Sequence, residues 1–377
     1  MPVSLIGCGG IGKTSIGPTL IDDDRIKERF GNHRRFIRCD EVQSYTDFIH
    51  RVSKVTGAGI EDAQDLSALR SFLSSTNILI ILDNAETILD PQIPDALTLY
   101  SAVEELSRTK TISLVITTRI STTPPACQQL EVPALPMTSA REAFYNIWAN
   151  QQQSPDIDTL LQQLDCHPLS ITILATVAVQ NRWDHSRLLR EWGQRGISLL
   201  QTNHYPGLST AIEPSLSSPM FTSLGSSARD ILGVIAVMPQ GLNENELEWI
   251  FPTVSNARDI VDTLCILSLT HRNHNFVTML APLREYLRPD GYSCPLFASV
   301  KHQYLTRSRN ITREAGCERV SQQWLVSEEV NINFLMNHES MDITRVCHAV
   351  TKTPCATFSE RDTGSSRHRY HCWPPPP

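Results

Sequence analysis

Residues 7–14 read Gly-Cys-Gly-Gly-Ile-Gly-Lys-Thr, the pattern G-x-x-x-x-G-K-[ST] of a phosphate-binding loop. Glycine tolerates φ > 0, so Gly7, Gly9, Gly10, Ile11 and Gly12 can turn several backbone N–H groups onto one phosphate chain. Lys13 has the reach and charge for β- and γ-phosphate oxygens, and the Thr14 hydroxyl suits Mg²⁺. A helix beginning at Lys13 and carrying Ser15 aims its positive N-terminal end at the same phosphates. These residues make a nucleotide the expected ligand.

Two more stretches carry polar groups at the ends of apolar runs. Asn77-Ile-Leu-Ile-Ile-Leu-Asp83 ends in a carboxylate. A buried strand delivers such an acid to the strand's C-terminal end, where ligands bind in open α/β sheets. Opposite Thr14, Asp83 is a candidate Mg²⁺ ligand, through water; alone it would read as a turn-starting Asp. Glu86 lies three residues further on and is a candidate for orienting or activating an attacking water. It reads equally as a solvated loop acid. Leu114-Val-Ile-Thr-Thr-Arg119 places an arginine where its fork can sense a γ-phosphate; the other reading is an arginine in a surface salt bridge.

Apolar runs at Val3–Ile6, 35–38, 78–82, 114–117 and 129–132 predict five strands alternating with helical patterns. That order indicates an α/β fold with a doubly wound parallel sheet. Runs such as 78–82 are apolar throughout, so both faces of the sheet must be covered. Prolines at 124, 125, 133 and 136 mark a boundary. Beyond it the pattern turns helical, with a capping-box start at Ser139-Ala-Arg-Glu142 and further helices around 160–164, 169–179 and 185–192. A third unit begins near Ser226. Ser227-Ala-Arg-Asp230 and Asn243-Glu-Asn-Glu246 read as helix caps, 257–267 as a third helix, and 268–272 and 276–279 as a hairpin around Asn273-His274-Asn275. Three helices followed by a hairpin is a winged-helix pattern.

The chain has 377 residues, 41% hydrophobic and 19% charged, with net charge −7 and a pI near 5.9. That balance opposes a general polyanion binder. In 257–267 one Arg faces two Asp, the wrong sign for a helix lying in a major groove, so no nucleic-acid partner is expected. Ten cysteines without a C-x-x-C pair fit a reducing compartment. No basic-then-apolar leader is visible, and the longest apolar stretches are too short to span a bilayer. A cytoplasmic location without membrane association is expected. Cys347, His348, Cys355, His368, His371 and Cys372 match no standard zinc spacing, and the polar, proline-ended segment 346–377 reads as a disordered tail.

Taken in order, residues 7–14, Leu82-Asp83-Asn84-Ala85-Glu86, Thr117-Thr118-Arg119 and His167-Pro168-Leu169 resemble the NB-ARC branch of the STAND ATPases, nearest the fungal NLR-like proteins. The similarity runs from about Val3 to Leu287. It implies a P-loop nucleotide-binding domain (1–136), a helical domain (137–208), a winged-helix domain (209–290) and a helical segment (291–345) that would begin a repeat sensor. It also implies that Pro168 lines an adenine pocket; by position Pro168 equally suits the first turn of a helix. Compared with that family both arms are expected to be shortened. Asn84 replaces a second acid. The family's His-Asp element aligns with Met279-Leu280-Ala281, which has neither residue; His271 and His274 are the nearby substitutes. Pro18 sits inside the helix after the loop, where a proline costs about 3 kcal/mol and kinks the helix.

The function implied is an ATP/ADP-controlled signalling switch with Mg²⁺ and slow or absent hydrolysis. Its partners would be the nucleotide, further copies of itself, or a full-length NLR-like protein. Two other readings stand beside it: a conventional P-loop ATPase or kinase with an acceptor substrate, and a truncated, inactive partner or decoy.

Overall fold

The computed structural model describes residues 1–40, 42–59, 66–149, 154–200, 208–313 and 319–337. The segment 346–377, with its cysteines and histidines, lies outside the described residues.

The first part alternates strand and helix: β1 (Val3–Ile6), α1 (Lys13–Asp22), α2 (Asp24–Phe30), β2 (Arg34–Arg38), α3 (Tyr45–Thr56), α4 (Leu66–Leu73), β3 (Ile78–Asp83), α5 (Glu86–Leu89), α6 (Ala96–Arg108), β4 (Ile112–Thr118) and β5 (Gln128–Glu131). The strands form one parallel sheet in the order β2-β3-β4-β1-β5. Strand β3 shows why its run is apolar on both sides. Ile78, Ile80 and Leu82 pack with side chains of α3, α4 and α6. Leu79 and Ile81 pack on the other face with Phe30, Leu20 and Ile21 from α1 and α2. Alternation sends successive residues to opposite faces, and both faces are dry. This is an α/β P-loop NTPase fold.

The helix after the loop runs unbroken from Lys13 to Asp22 with Pro18 inside it. The expected interruption does not end it. A Cβ on Gly17 would come within 2.6 Å of Phe36 Cε2 on β2, so the glycine before Pro18 allows close approach of α1 to the sheet.

Beyond the sheet the chain is almost entirely helical: α7 (Met137–Ile147), α8 (Pro155–Gln163), α9 (Pro168–Gln180), α10 (His185–Arg195), α11 (Leu208–Leu216), α12 (Pro219–Thr222) and α13 (Ser226–Val237). Then come β6 (Leu242–Asn243), α14 (Leu247–Ile250), α15 (Ala257–Ile266), β7 (His271–Asn273), β8 (Phe276–Thr278), α16 (Ala281–Ser293), α17 (Pro295–Arg313), α18 (Arg319–Ser327) and α19 (Glu329–Asn337). Strands β6, β8 and β7 form a small antiparallel sheet. Buried side chains from α7 to α19 make one continuous cluster, from Phe144 and Leu174 through Ile235 and Leu264 to Tyr304 and Leu335.

Two cap readings are corrected. Helix α7 starts at Met137 with Pro136 in the capping position, not at Ser139. Helix α13 starts at Ser226 after Gly225 at φ 77°, so Ser227 lies inside it. In each case a backbone-restricting or backbone-permissive residue sets the start, and the serine side chain makes no cap. Asn243 does cap, its side chain accepting from the Asn245 N–H, but it opens a 3₁₀ turn at Glu244–Glu246 before α14.

Candidate functional site

The phosphate loop leaves the C-terminal end of β1, which lies between β4 and β5. Asp83 ends β3, and Arg119 follows the end of β4. Parallel strands bring their C-terminal ends to one edge, so the fold collects Lys13, Asp83, Glu86 and Arg119 there.

Within the loop Gly10 and Gly12 take φ values of 80° and 102°, the left-handed geometry that glycine permits. Gly12 is the N-cap of α1, Ile11 is buried, and Thr14 and Ser15 stand exposed in the helix's first turn. Lys13 is buried, and its ammonium donates to Gly7 O at 2.6 Å and Cys8 O at 2.9 Å. Burial pushes it down to about 8, while Glu86 pulls the other way. A cation held on loop carbonyls in a dry site is under-compensated, and anionic oxygens are the partners that would complete it.

Asp83 is fully buried. Thr117 Oγ1 donates to its Oδ1 at 2.5 Å, and Oδ2 has no hydrogen-bond partner. Thr117 Oγ1 also accepts from the Asn84 N–H at 3.1 Å, so one hydroxyl orients the acid and the turn behind it. A buried carboxylate oxygen without a partner is costly unless a cation or its water meets it. The open oxygen of Asp83 has the chemistry of a Mg²⁺ ligand.

Glu86 and Arg119 are each other's partners, with Oε1 to Nε at 3.1 Å and side chains less than one fifth exposed. The Arg119 N–H adds a bond to Glu86 Oε2 at 3.3 Å. Arg119 Nη1 reaches away from the sheet to α11, donating to Ala211 O at 2.9 Å and Ser215 Oγ at 3.2 Å. Its own carbonyl accepts from Ser268 Oγ at 2.7 Å, and the Ser121 N–H donates to Ile266 O at 2.9 Å. The end of β4 is thus held by α11 and by the C-terminal end of α15.

Two cavities border the loop. One of about 470 Å³ is lined by Gly12, Ser15 and Thr19 of the loop and α1, by Val132, Pro133 and Leu135 beyond β5, and by Pro168. Apolar plates beside a helix N-terminus suit a flat base with its phosphates at the amides. The other, about 690 Å³, lies against Gly7, Cys8 and Gly9, with Ala211, Ser215, His271 and Arg272 on its far walls. The larger cavity meets the half of the loop whose carbonyls hold Lys13, and the smaller meets the start of α1. His271 lines the larger cavity, with its Nε2 2.9 Å from Thr278 Oγ1; His274 sits exposed at the hairpin tip. Among the described residues no group of three or more His, Cys, Asp or Glu is placed to hold a metal ion.

Sequence reasoning named Arg119 but missed its partner helix. Nothing marked 208–216 as a helix, because Pro214 inside α11 argues against one. The spacing of buried Ile212, Ser215 and Leu216 was the available signal. Thr117 was noted only as part of a strand end.

No protein-family model matches this chain, and none of the curated proteins matches it. Solved structures do. A Walker-type ATPase of Pyrococcus abyssi superposes with a TM-score of 0.53 at 11% identity, covering 76% of this chain and 91% of that one. A STAND protein with a tetratricopeptide-repeat sensor from Pyrococcus horikoshii gives 0.32 at 14%, over 93% of this chain and 49% of that one. The Aeropyrum pernix ORC2 protein in ADPNP–ADP complexes gives 0.43 at 14%, over 81% and 89%. No described helix is long and apolar enough to cross a membrane. The loop, the acid at the end of β3 and the likeness to the Walker-type ATPase together identify the fold as that of a P-loop NTPase.

Proposed function

We propose that this protein is a nucleotide-controlled switch of the NB-ARC type, binding Mg-ATP or ADP with slow or absent hydrolysis. The observation that carries it is the double engagement of Arg119, on Glu86 beside the phosphate loop and on α11 above it. A ligand shifts a conformational equilibrium only through different affinities for the two arrangements. A third phosphate offers that difference: its oxygens compete for the Arg119 fork and would loosen α11. A diphosphate leaves the fork where it is.

In this reading the backbone of residues 9–15 and Lys13 hold the phosphates, and Pro168 with Val132 and Pro133 covers the base. Thr14 and Asp83 would hold Mg²⁺, which neutralises phosphate charge. Glu86 orients a water when Arg119 releases it. The unit from α13 to β8 acts as a winged helix that packs rather than reads DNA, since α15 has one Arg against two Asp, with Arg258 paired to Glu248 and Asp262 to Arg272. The domain boundaries 1–136, 137–208, 209–290 and 291–345 follow, as do self-association and a cytoplasmic setting.

The test is to denature the purified protein and identify released nucleotide by chromatography. ADP at close to one per chain, lost in Lys13→Ala, supports the switch. Many turnovers per second with a small-molecule acceptor would instead show a kinase or metabolic ATPase. Nucleotide-free protein that ignores added ADP would leave the inactive-partner reading.

A further inference from the structure

We infer that His167 is a positioning residue for the phosphate loop, one imidazole holding Gly9 and the first turn of α9 together so that the helical unit sets the loop's shape. This rests on the nucleotide-binding reading above.

The first turn of a helix has N–H groups without intrahelical partners. In α9 the first of these is absent, because Pro168 has no N–H. The Leu169 N–H is spent on Gly10 O at 3.3 Å, and the Ser170 N–H on His167 Nδ1 at 3.4 Å. Ser170 Oγ lies 3.0 Å from the same Nδ1. Because Nδ1 accepts, the ring proton sits on Nε2, which is 3.1 Å from Gly9 O and donates to it. The capping role therefore dictates the tautomer, and the tautomer supplies the donor. His167 is 2% exposed. Burial, with Lys13 adding repulsion, pushes it down to about 4, so the neutral ring persists across the ordinary pH range.

The consequence lies in the loop's carbonyls. Gly7 O and Cys8 O accept from Lys13, Gly9 O from His167 and Gly10 O from Leu169. In a trans peptide the N–H of the next residue points opposite to the carbonyl, and the described chain has no cis bond. Each carbonyl so held turns the N–H of the following residue the opposite way, away from the donor that holds it, and leaves that N–H for an anion. When Lys13 leaves for phosphate oxygens, the bonds from His167 to Gly9 O and from Leu169 to Gly10 O remain. The fit is close: a Cβ on Gly10 would lie 2.9 Å from His167 Cε1 and 2.8 Å from Leu169 Cδ2.

The substitution His167→Asn separates the two roles. Its amide oxygen can replace Nδ1 as a cap, but the side chain is too short to reach Gly9 O. Calorimetric titration with ADP should show affinity lower by about threefold to tenfold, the worth of one net hydrogen bond, with thermal stability little changed. Hydrogen exchange at the amides of residues 9–11 should quicken. His167→Gln keeps the reach and should retain affinity while losing the cap. An ADP affinity of His167→Asn within a factor of two of the parent, with loop exchange unchanged, overturns the inference. A check that needs no variant is the imidazole ¹⁵N spectrum of the parent protein: the Nε2–H tautomer from pH 5 to 8 supports it, and an Nδ1–H or cationic ring sinks it. If Lys13→Ala retains full ADP affinity, the nucleotide reading itself fails. If Lys13→Ala abolishes binding and His167→Asn does nothing, only the role of His167 fails.

Discussion

The Glu86 carboxylate and the Arg119 guanidinium meet at 3.1 Å between the end of β3 and the end of β4, and the same guanidinium donates to Ala211 O and Ser215 Oγ on α11. One side chain therefore connects an acid beside the phosphate loop to a helix from a distant part of the chain. Cutting it at either end should have different effects.

Arg119→Ala removes both connections. We expect a stability loss of about 1–3 kcal/mol, between the values for exposed and buried pairs, and faster hydrogen exchange in 208–216. Glu86→Gln should leave α11 protected while lowering any ATP hydrolysis about a hundredfold or more. Equal exchange of α11 in the parent and Arg119→Ala would remove the arginine from the coupling.

Asp83 has one oxygen held by Thr117 and one without a partner. Mg-ATP should raise the parent Tm more than ATP with chelator does, since ligand binding to the native state stabilises it. Asp83→Asn should abolish that difference while leaving the ADP response. Thr117→Val should cost about 1–3 kcal/mol by stripping a buried carboxylate of its donor. A Mg²⁺ increment that persists in Asp83→Asn would remove Asp83 from the metal.

Burial pushes the Lys13 ammonium down to about 8 from an ordinary 10.5. A lowered lysine means that the unfolded chain binds more protons between those values, so stability rises with pH across that window. Below about pH 8 the full cost of the buried charge is present. Lys13→Met should relieve it, on the order of 3 kcal/mol at pH 7, while eliminating nucleotide binding. ADP binding near pH 8 should take up part of a proton, seen as a dependence of binding enthalpy on buffer, and the uptake should vanish by pH 6. No buffer dependence at pH 8 would contradict a lysine with a depressed pKa.

Glu328, between α18 and α19, is fully buried, and Asn331 Nδ2 donates to its Oε2 at 2.8 Å. Burial, with Glu246 nearby, pushes its carboxyl up to about 7 from an ordinary 4.5. Here the folded chain binds the extra proton, so stability falls as pH rises from about 4.5 through 7 and stays low above it. Glu328→Gln should flatten that slope and raise Tm at pH 8, with little change at pH 5. An unchanged pH profile would show that the carboxyl titrates normally.

Much of the α/β part was legible because its signals are local. Strands expected at 78–82 and 114–117 appear as Ile78–Asp83 and Ile112–Thr118, since buried parallel strands must be apolar without interruption. The starts of α7 and α13 were misread because Ser139 and Ser227 carry capping patterns while Pro136 and Gly225 hold the capping positions. The order β2-β3-β4-β1-β5 was not legible at all, because pairing partners are chosen by packing over long separations.

The loop, the acid at the end of β3 and the arginine after β4 were present in residue type and spacing alone: glycines, a lysine and strand-end polar groups carry their chemistry wherever a parallel sheet gathers them. What those groups touch came from the folded arrangement. His167 meets Gly9 across 158 positions, and Arg119 meets Ser215 across 96. A hydrogen bond depends on distance and direction within tenths of an ångström, and no local periodicity encodes that. The pattern of a phosphate-binding loop was written in eight consecutive residues, whereas the attachment of that loop to α9, and of Arg119 to α11, arose only when the helical units packed against the sheet.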